Sequence, residues 1–238
     1  MSEPILLCEK LTKCYKRNVP VLDSLDLSVA PGRIVGLLGP NGCGKSTLMK
    51  LITGLLQPKS GKIYICGRER GEETNALVSY LPERPYFPAS MTTNQMLEYF
   101  SDFYADFDSG IAKAMLSDLS IDPKARMQTL SKGTKEKVQL ILVMARRAKL
   151  YLLDEPIGGV DPAAREYILR TIIGNYNPEA AVMITTHLIA DVESVLDDFA
   201  FMNNGKIAMC GNADEAREQH GKTLDELFRE VFRCLRNA

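Results

Sequence analysis

Long hydrophobic runs are missing from this 238-residue sequence, and one of its longest apolar stretches, Val138–Ala145, contains Gln139. Because crossing a bilayer takes about 20 apolar residues, no segment is expected to span a membrane. The first residues, which include Glu3 and Pro4, lack the apolar core of a signal peptide. We therefore expect a soluble, cytoplasmic protein.

An excess of charge of one sign is missing as well. The 29 basic and 30 acidic residues nearly cancel, and the formal net charge is -1. A nucleic-acid-binding domain usually carries a basic surplus, so no direct contact with nucleic acid is expected. Low-complexity tracts, repeats and flexible linkers are also absent, while 45% of the residues are hydrophobic. This composition is that of a globular protein with a substantial core.

Paired cysteines are a third absence. The cysteines have no spacing of the kind that binds zinc; they are Cys8, Cys14, Cys43, Cys66, Cys210 and Cys234. We expect reduced thiols, as in a cytosolic protein.

A phosphate-binding loop is present at residues 39–47, which read GPNGCGKST. Its glycines allow backbone N–H groups to surround a triphosphate, Lys45 can reach the terminal phosphates, and the Ser46 hydroxyl can ligate Mg²⁺. A strand-like run, Ile34–Leu38, precedes the loop and a helical pattern follows it, so the phosphates would lie at a helix N-terminus. The sequence therefore predicts a nucleotide site formed by Gly39, Asn41, Gly42, Cys43, Gly44, Lys45, Ser46 and Thr47.

A second chemical motif is the pair Asp154 and Glu155, which follows the apolar strand 150–153. Asp154 can hold the metal and its waters, and Glu155 can orient and deprotonate an attacking water. A lone Asp-Glu pair is more often a surface strand end. Its strand context and its place after a phosphate loop favour the catalytic interpretation.

The order of elements predicts an α/β fold: a P-loop NTPase core with a mostly parallel sheet, an N-terminal antiparallel β portion and a helical subdomain insertion. We expect one domain, 1–238, with its core at 1–84 and 148–222, the helical subdomain at 85–147 and a C-terminal amphipathic helix at 223–236. The predicted strands are 25–29, 34–38, 62–66, 76–81, 150–153, 181–184, 199–202 and 206–210. The predicted helices, besides the one after the phosphate loop and the tail, begin at 92, 109, 133 and 161, and that of 133 extends to 148.

With these motifs the chain resembles the ATP-binding subunits of ABC transporters over nearly its whole length. Asp161, in the run 159–162, matches the family's D-loop, and His187 after two threonines matches its switch histidine, which contacts the γ-phosphate. Tyr15 stands where the family has an aromatic that stacks on adenine. A lone histidine or tyrosine is otherwise more often a packing residue. The resemblance implies ATP and Mg²⁺ as ligands, and Lys45, Glu155 and His187 as catalytic residues.

Two loops depart from the family pattern. Residues 130–134 read LSKGT where the family usually has LSGGQ, so Lys132 and Thr134 are departures. Ser131 and Gly133, which in the family touch the γ-phosphate across a dimer interface, are retained. Lys132 either adds a cation beside the phosphates or faces solvent, and both readings stay open. Glu83 replaces the usual Q-loop glutamine; its carboxylate can still ligate Mg²⁺, and Arg84 can offset the added charge.

The phosphate-loop cysteine and the aromatic residues add two expectations. Cys43 lies at a helix N-terminus, a position that lowers a thiol pKa, so we expect its alkylation to inhibit the enzyme; it can also be simple filler. Aromatic residues are dense around 84–107, where the family receives a cytoplasmic helix of the membrane subunit. They are Tyr80, Tyr86, Phe87, Tyr99, Phe100, Phe103, Tyr104 and Phe107.

The sequence thus predicts the ATP-hydrolysing subunit of an ABC transporter, peripheral at the cytoplasmic face of the cell membrane. It would dimerise with a second copy or a homologous subunit around two ATP molecules and drive a separate membrane permease. The Glu83 variant and the short tail after Gly211 resemble small exporter-type ATPases. The alternative is a soluble ABC-type ATPase acting on ribosomes or chromosomes. A P-loop kinase explains neither the 130–134 loop nor the His187 segment.

Overall fold

Two β-sheets organise the chain in the computed structural model, which describes residues 3–16, 19–84, 86–158, 162–177 and 179–237. In the described residues the first sheet has the order β2-β1-β4-β5 and is antiparallel. Its strands are β1 (Leu6–Lys16), β2 (Val19–Val29), β4 (Ser60–Ile65) and β5 (Arg68–Glu69). In β2, Leu25, Leu27 and Val29 are buried while the residues between them are exposed, which is the period of a half-buried strand.

The second sheet is mostly parallel and has the order β10-β9-β3-β8-β7-β6 in the described residues. Its strands are β3 (Ile34–Leu38), β6 (Val78–Leu81), β7 (Leu150–Asp154), β8 (Ala181–Thr186), β9 (Asp198–Asn203) and β10 (Lys206–Asn212). The strands β3, β7 and β8 are buried along their whole length, as continuous apolar runs in a parallel sheet should be. Their carboxyl ends meet at one edge, where ligands bind in open parallel sheets.

The helices lie against this sheet and in the insertion between β6 and β7. They are α1 (Lys45–Ile52), α2 (Glu72–Asn75), α3 (Thr93–Phe103), α4 (Ser109–Asp118), α5 (Lys132–Met144), α6 (Pro162–Asn175), α7 (Ile189–Val192), α8 (Ala213–His220) and α9 (Leu224–Asn237). The predicted capping box of α3 is present, since Thr92 accepts from the Gln95 N–H and Gln95 accepts from the Thr92 N–H. Among the described residues, no helix is long and apolar enough to cross a membrane.

Two predictions of local structure were wrong, and the helix α8 was missed. The strand expected at 76–81 begins only at Val78, because the short helix α2 ends at Asn75 and residues 76 and 77 form the turn that follows it. The helix expected to run to residue 148 ends at Met144. The chain turns there because Arg146 leaves the helix to bind groups far away in sequence. The helix α8 was not predicted, because Ala213 and Ala216 are its only buried residues and give no apolar periodicity.

Arg146 joins the helical insertion to the sheet. Its guanidinium donates to the carbonyl oxygens of Val78 at 2.6 Å and Ala76 at 2.7 Å, and to both carboxylate oxygens of Asp106 at 3.0 and 3.1 Å. It also stacks on the Tyr104 ring, with its central carbon 3.9 Å from the ring centroid. The side chain is buried, so one cation satisfies groups from both parts of the fold.

Candidate active site

The phosphate loop connects β3 to α1 through backbone conformations that suit glycine. Gly42 and Gly44 have φ of 82° and 114°. A Cβ at Gly44 would lie 2.9 Å from the Val21 carbonyl oxygen, whereas one at Gly42 would meet nothing within 4 Å. Gly44 is therefore required by both its φ value and its close packing. Gly42 is required by φ alone.

Lys45 is the first residue of α1, and its side chain is only 6% exposed. Its ammonium group donates to the carbonyl oxygens of Gly39 at 2.8 Å and Pro40 at 3.3 Å, and it lies 3.8 Å from Glu155 Oε1. A buried cation held by neutral carbonyls and one carboxylate is suited to receive phosphate oxygens.

Asp154 ends β7 beside Ser46 and Thr185. The Ser46 hydroxyl donates to Asp154 Oδ1 at 3.1 Å, and the Thr185 hydroxyl donates to the same oxygen at 2.7 Å. Thr185 lies opposite Asp154 in the parallel pairing of β7 with β8. Hydroxyl and carboxylate oxygens are the donors that Mg²⁺ prefers, so these residues fit the metal that the sequence predicts.

Glu155 lies at the junction of the site. Its φ of 52° is in the left-handed region, which is rare for a residue with a side chain. The backbone holds it there, since its N–H donates to both the carbonyl and the hydroxyl oxygen of Thr185, at 3.0 and 3.1 Å. Glu155 Oε2 lies 3.0 Å from Nδ1 of His187, just beyond the end of β8. Glu155 is thus held both at its backbone N–H and at its carboxylate.

These side chains border one cavity of about 780 Å³. Its lining includes the predicted residues Asn41, Gly42, Gly44, Lys45, Ser46, Thr47, Glu83, Glu155 and His187. Val21, Arg84, Lys132, Glu136 and Gly158 complete it. Among the described residues, the predicted residues outside this lining are Tyr15, Gly39, Cys43, Ser131, Gly133 and Asp154. Asp161 lies outside the described residues, so its assignment stays a prediction.

Tyr15 lies at the edge of the site. It belongs to β1, is 59% exposed, and its hydroxyl lies 3.4 Å from the Thr47 hydroxyl. The Lys13 ammonium lies 5.7 Å from the Tyr15 ring centroid. An exposed ring beside the phosphate loop can stack on a planar base, and the adenine role stays a prediction.

The expectation of a low pKa for Cys43 was wrong. The thiol is 5% exposed, and burial raises its pKa even though the neighbouring Lys45 charge acts in the opposite direction. The sulfur packs against Gly39, where an added Cβ would lie 2.8 Å away. The Cys43 carbonyl accepts a hydrogen bond from the Gly205 N–H at 3.0 Å, so this residue anchors the loop to the β9–β10 turn.

The 130–134 loop begins α5. Ser131 caps the helix, and its hydroxyl accepts from the Thr134 N–H at 3.2 Å. Lys132 is 79% exposed and lies 3.8 Å from Glu136 Oε1, one turn later. Lys132 also borders the nucleotide cavity, so a cation beside the phosphates and a lysine that faces solvent both stay open.

Sequence reasoning missed Thr185, Glu136 and Gln139. Thr185 follows the same rule as Asp154, since it lies opposite Asp154 near the end of the neighbouring parallel strand, and that rule could have identified it. Glu136 and Gln139 carry no motif. Only the packing of α5 places them beside the Q-loop, where the Gln139 amide donates to the Pro82 carbonyl at 3.1 Å.

A family model described as ABC transporter matches residues 22–158 of this chain. The chain belongs to the ABC transporter family. It is therefore an ATPase of the type that hydrolyses ATP to power transport, and the predicted P-loop α/β fold is confirmed.

Curated relatives and solved structures agree with this assignment. The chain is 32% identical to the ABC-type transporter ATP-binding protein EcsA of Bacillus subtilis, over 95% of this chain and 96% of EcsA. It is also 32% identical to the mouse ABC-type organic anion transporter ABCA8A, but covers only 15% of that protein. A solved ATP-binding subunit of an ABC transporter matches with a TM-score of 0.86 and 30% identity, over 96% of this chain and 99% of the other. Nothing in these comparisons favours an ATPase that acts on the ribosome.

Proposed function

We propose that this ATPase pairs with a second copy, or with a homologous subunit, around two ATP molecules and drives a separate membrane permease in export. The observation that carries the proposal is the convergence of Lys45, Glu155 and His187 on one cavity, beside the Ser46–Asp154 contact. A phosphate cradle, a carboxylate base and a histidine in one cavity are what phosphoryl transfer to water requires.

In the proposed mechanism, the loop N–H groups and Lys45 hold the terminal phosphates, which replace the carbonyl contacts of Lys45 to Gly39 and Pro40. Glu155 accepts the proton of the attacking water, and His187 keeps its carboxylate oriented. Mg²⁺, held by Ser46 and Asp154 with Glu83 nearby, would neutralise phosphate charge. The protein contributes positioning and electrostatic stabilisation.

The paired arrangement is supported by the 130–134 loop. Ser131 and Lys132 are exposed, and a Cβ at Gly133 would meet nothing within 4 Å. This part of the chain is therefore free to approach a second molecule. We propose that Ser131 and Gly133 of one protomer face the γ-phosphate bound by its partner, with Asp161 in the same interface.

The permease contact is supported by a groove between the sheet and the helical insertion. Its volume is about 490 Å³, and Tyr80, Tyr86 and Tyr104 line it. Nearby aromatic residues are exposed instead of packed in the core: Tyr86 is 58% exposed and Phe103 is 67% exposed. Exposed aromatic surface of this kind suits the apolar face of a helix. We propose that a cytoplasmic helix of the permease binds here, which places the ATPase at the cytoplasmic face of the membrane.

The test is the Glu155→Gln variant, purified from detergent-solubilised native membranes with ATP present. We expect an ATP-dependent dimer by size-exclusion chromatography and a co-purifying polytopic membrane protein, because loss of the base stops hydrolysis and preserves the ATP-bound state. The same variant carrying Tyr86→Asp, a change at an exposed residue of the groove, should still dimerise but lose the membrane partner. Wild-type hydrolysis in Glu155→Gln would refute the base assignment.

Ribosomes or only soluble partners in this experiment would overturn the transporter assembly while leaving the ATPase assignment intact. A membrane partner retained by Tyr86→Asp would mean that the permease does not bind in this groove. The sequence of the captured permease would decide between export and import.

A further inference from the structure

A second, much smaller cavity lies beside the nucleotide site. Its volume is about 20 Å³, and it is lined among others by Glu83, Glu136, Gln139, Asp154, Glu155 and Gly158. One water molecule needs about 10–15 Å³ of such space and two to four polar partners. The cavity thus has the size and the polarity for a single water.

Glu136 presents an unsatisfied oxygen here. Its Oε2 atom is buried, and no described residue forms a hydrogen bond with it. The other oxygen, Oε1, lies 3.8 Å from the Lys132 ammonium, and the whole side chain is 16% exposed. Buried carboxylate oxygens almost always have a hydrogen-bond partner, so this atom needs a donor from inside the cavity.

Water is the donor that matches this lining. Glu136 and Glu155 are both acceptors when ionised, and one water can donate to both at once. The Gln139 amide nitrogen is already committed to the Pro82 carbonyl at 3.1 Å.

We propose that Glu136 holds an ordered water that donates to both Glu136 Oε2 and the Glu155 carboxylate. Glu136 is then a positioning residue that keeps the proposed base aligned through this water. This inference rests on the proposed role of Glu155. It assigns a role to a residue that belongs to neither the phosphate loop nor the strand ends.

The experiment compares Glu136→Leu with Glu136→Gln and measures steady-state ATP hydrolysis. Leucine offers the water no acceptor, so kcat should fall about 10- to 100-fold, as for other groups that orient active-site residues, while KM for ATP stays within about twofold. Glutamine is nearly isosteric and can still bind the water, so it should keep kcat within about threefold of wild type. Glu218→Leu is the matched control: it makes the same exchange at an exposed glutamate of α8 that lines neither cavity, and it should keep wild-type kcat.

Thermal unfolding of each variant checks folding, and a high-resolution crystal structure of the wild type checks the cavity directly. We expect a water within hydrogen-bonding distance of Glu136 Oε2; a protein atom in its place would overturn the inference. So would wild-type kcat in Glu136→Leu, an equal loss in the leucine and glutamine variants, or a raised KM with unchanged kcat. An inactive wild-type enzyme would instead count against the proposed function.

Discussion

Replacing Arg146 by methionine should destabilise the fold strongly. The residue is 4% exposed, and methionine preserves much of its length while removing the cation. The change removes the donors to Val78, Ala76 and Asp106 and the stacking on Tyr104. Breaking one side of a buried ion pair typically costs about 3–5 kcal/mol.

The structure indicates that the cost of Arg146→Met in unfolding free energy lies at the lower end of this range. Asp106 is 28% exposed and Ala76 is exposed, so water can hydrate both after the change. The Val78 carbonyl is buried and stays unsatisfied, at a cost of about 1–3 kcal/mol, and the lost stacking adds about 1 kcal/mol. We expect a loss of about 3 kcal/mol, or roughly 6–12 °C in Tm for a chain of this size.

Urea unfolding followed by circular dichroism measures this loss, and the neighbouring arginine provides a matched control. Arg147 also pairs with an aspartate, Asp108, at 2.9 Å, but its side chain is 72% exposed. Arg147→Met should therefore cost less than about 1 kcal/mol. If the two variants differ by less than about 1 kcal/mol in unfolding free energy, the account of Arg146 as the link between insertion and sheet is refuted.

Two further predictions concern the active site. Because burial raises the pKa of Cys43, iodoacetamide at pH 7.5 should label Cys43 at least about tenfold more slowly than the exposed Cys210. The labelling rate of Cys43 should rise with pH. Mass spectrometry that finds Cys43 labelled first would contradict the burial argument. Thr185→Val should lower kcat about 10- to 100-fold, because it removes the hydroxyl that donates to Asp154. Thr185→Ser keeps the hydroxyl and should retain activity. Equal kinetics of the two variants would show that the hydroxyl is not needed.

Much of the site could be predicted because its residues follow from local rules. Glycine at positive φ, a lysine at the start of a helix and carboxylates at a strand end are each required by chemistry within a few residues. Parallel strands then bring their carboxyl ends together, so Glu155 and His187 meet although 32 positions separate them. The register of β7 on β8 adds Thr185 by the same rule.

Other features could not be predicted, because they depend on contacts between distant segments. The end of α5 at Met144 follows from the binding of Arg146 to residues 40–70 positions away. The direction of the pKa shift of Cys43 depends on how deeply the loop is packed, and the position at a helix N-terminus alone predicted a shift of the wrong sign.

The sequence by itself therefore determined the family and the nucleotide chemistry and predicted the main catalytic residues, since each is encoded in a short motif with a fixed geometry. Only the tertiary structure decided which other side chains pack around the site and join the helical insertion to the sheet. Glu136, Gln139 and Arg146 belong to no motif, and their partners come from elements far away in the chain. Their roles depend on burial and on shared contacts, which exist only once the helices and sheets have packed.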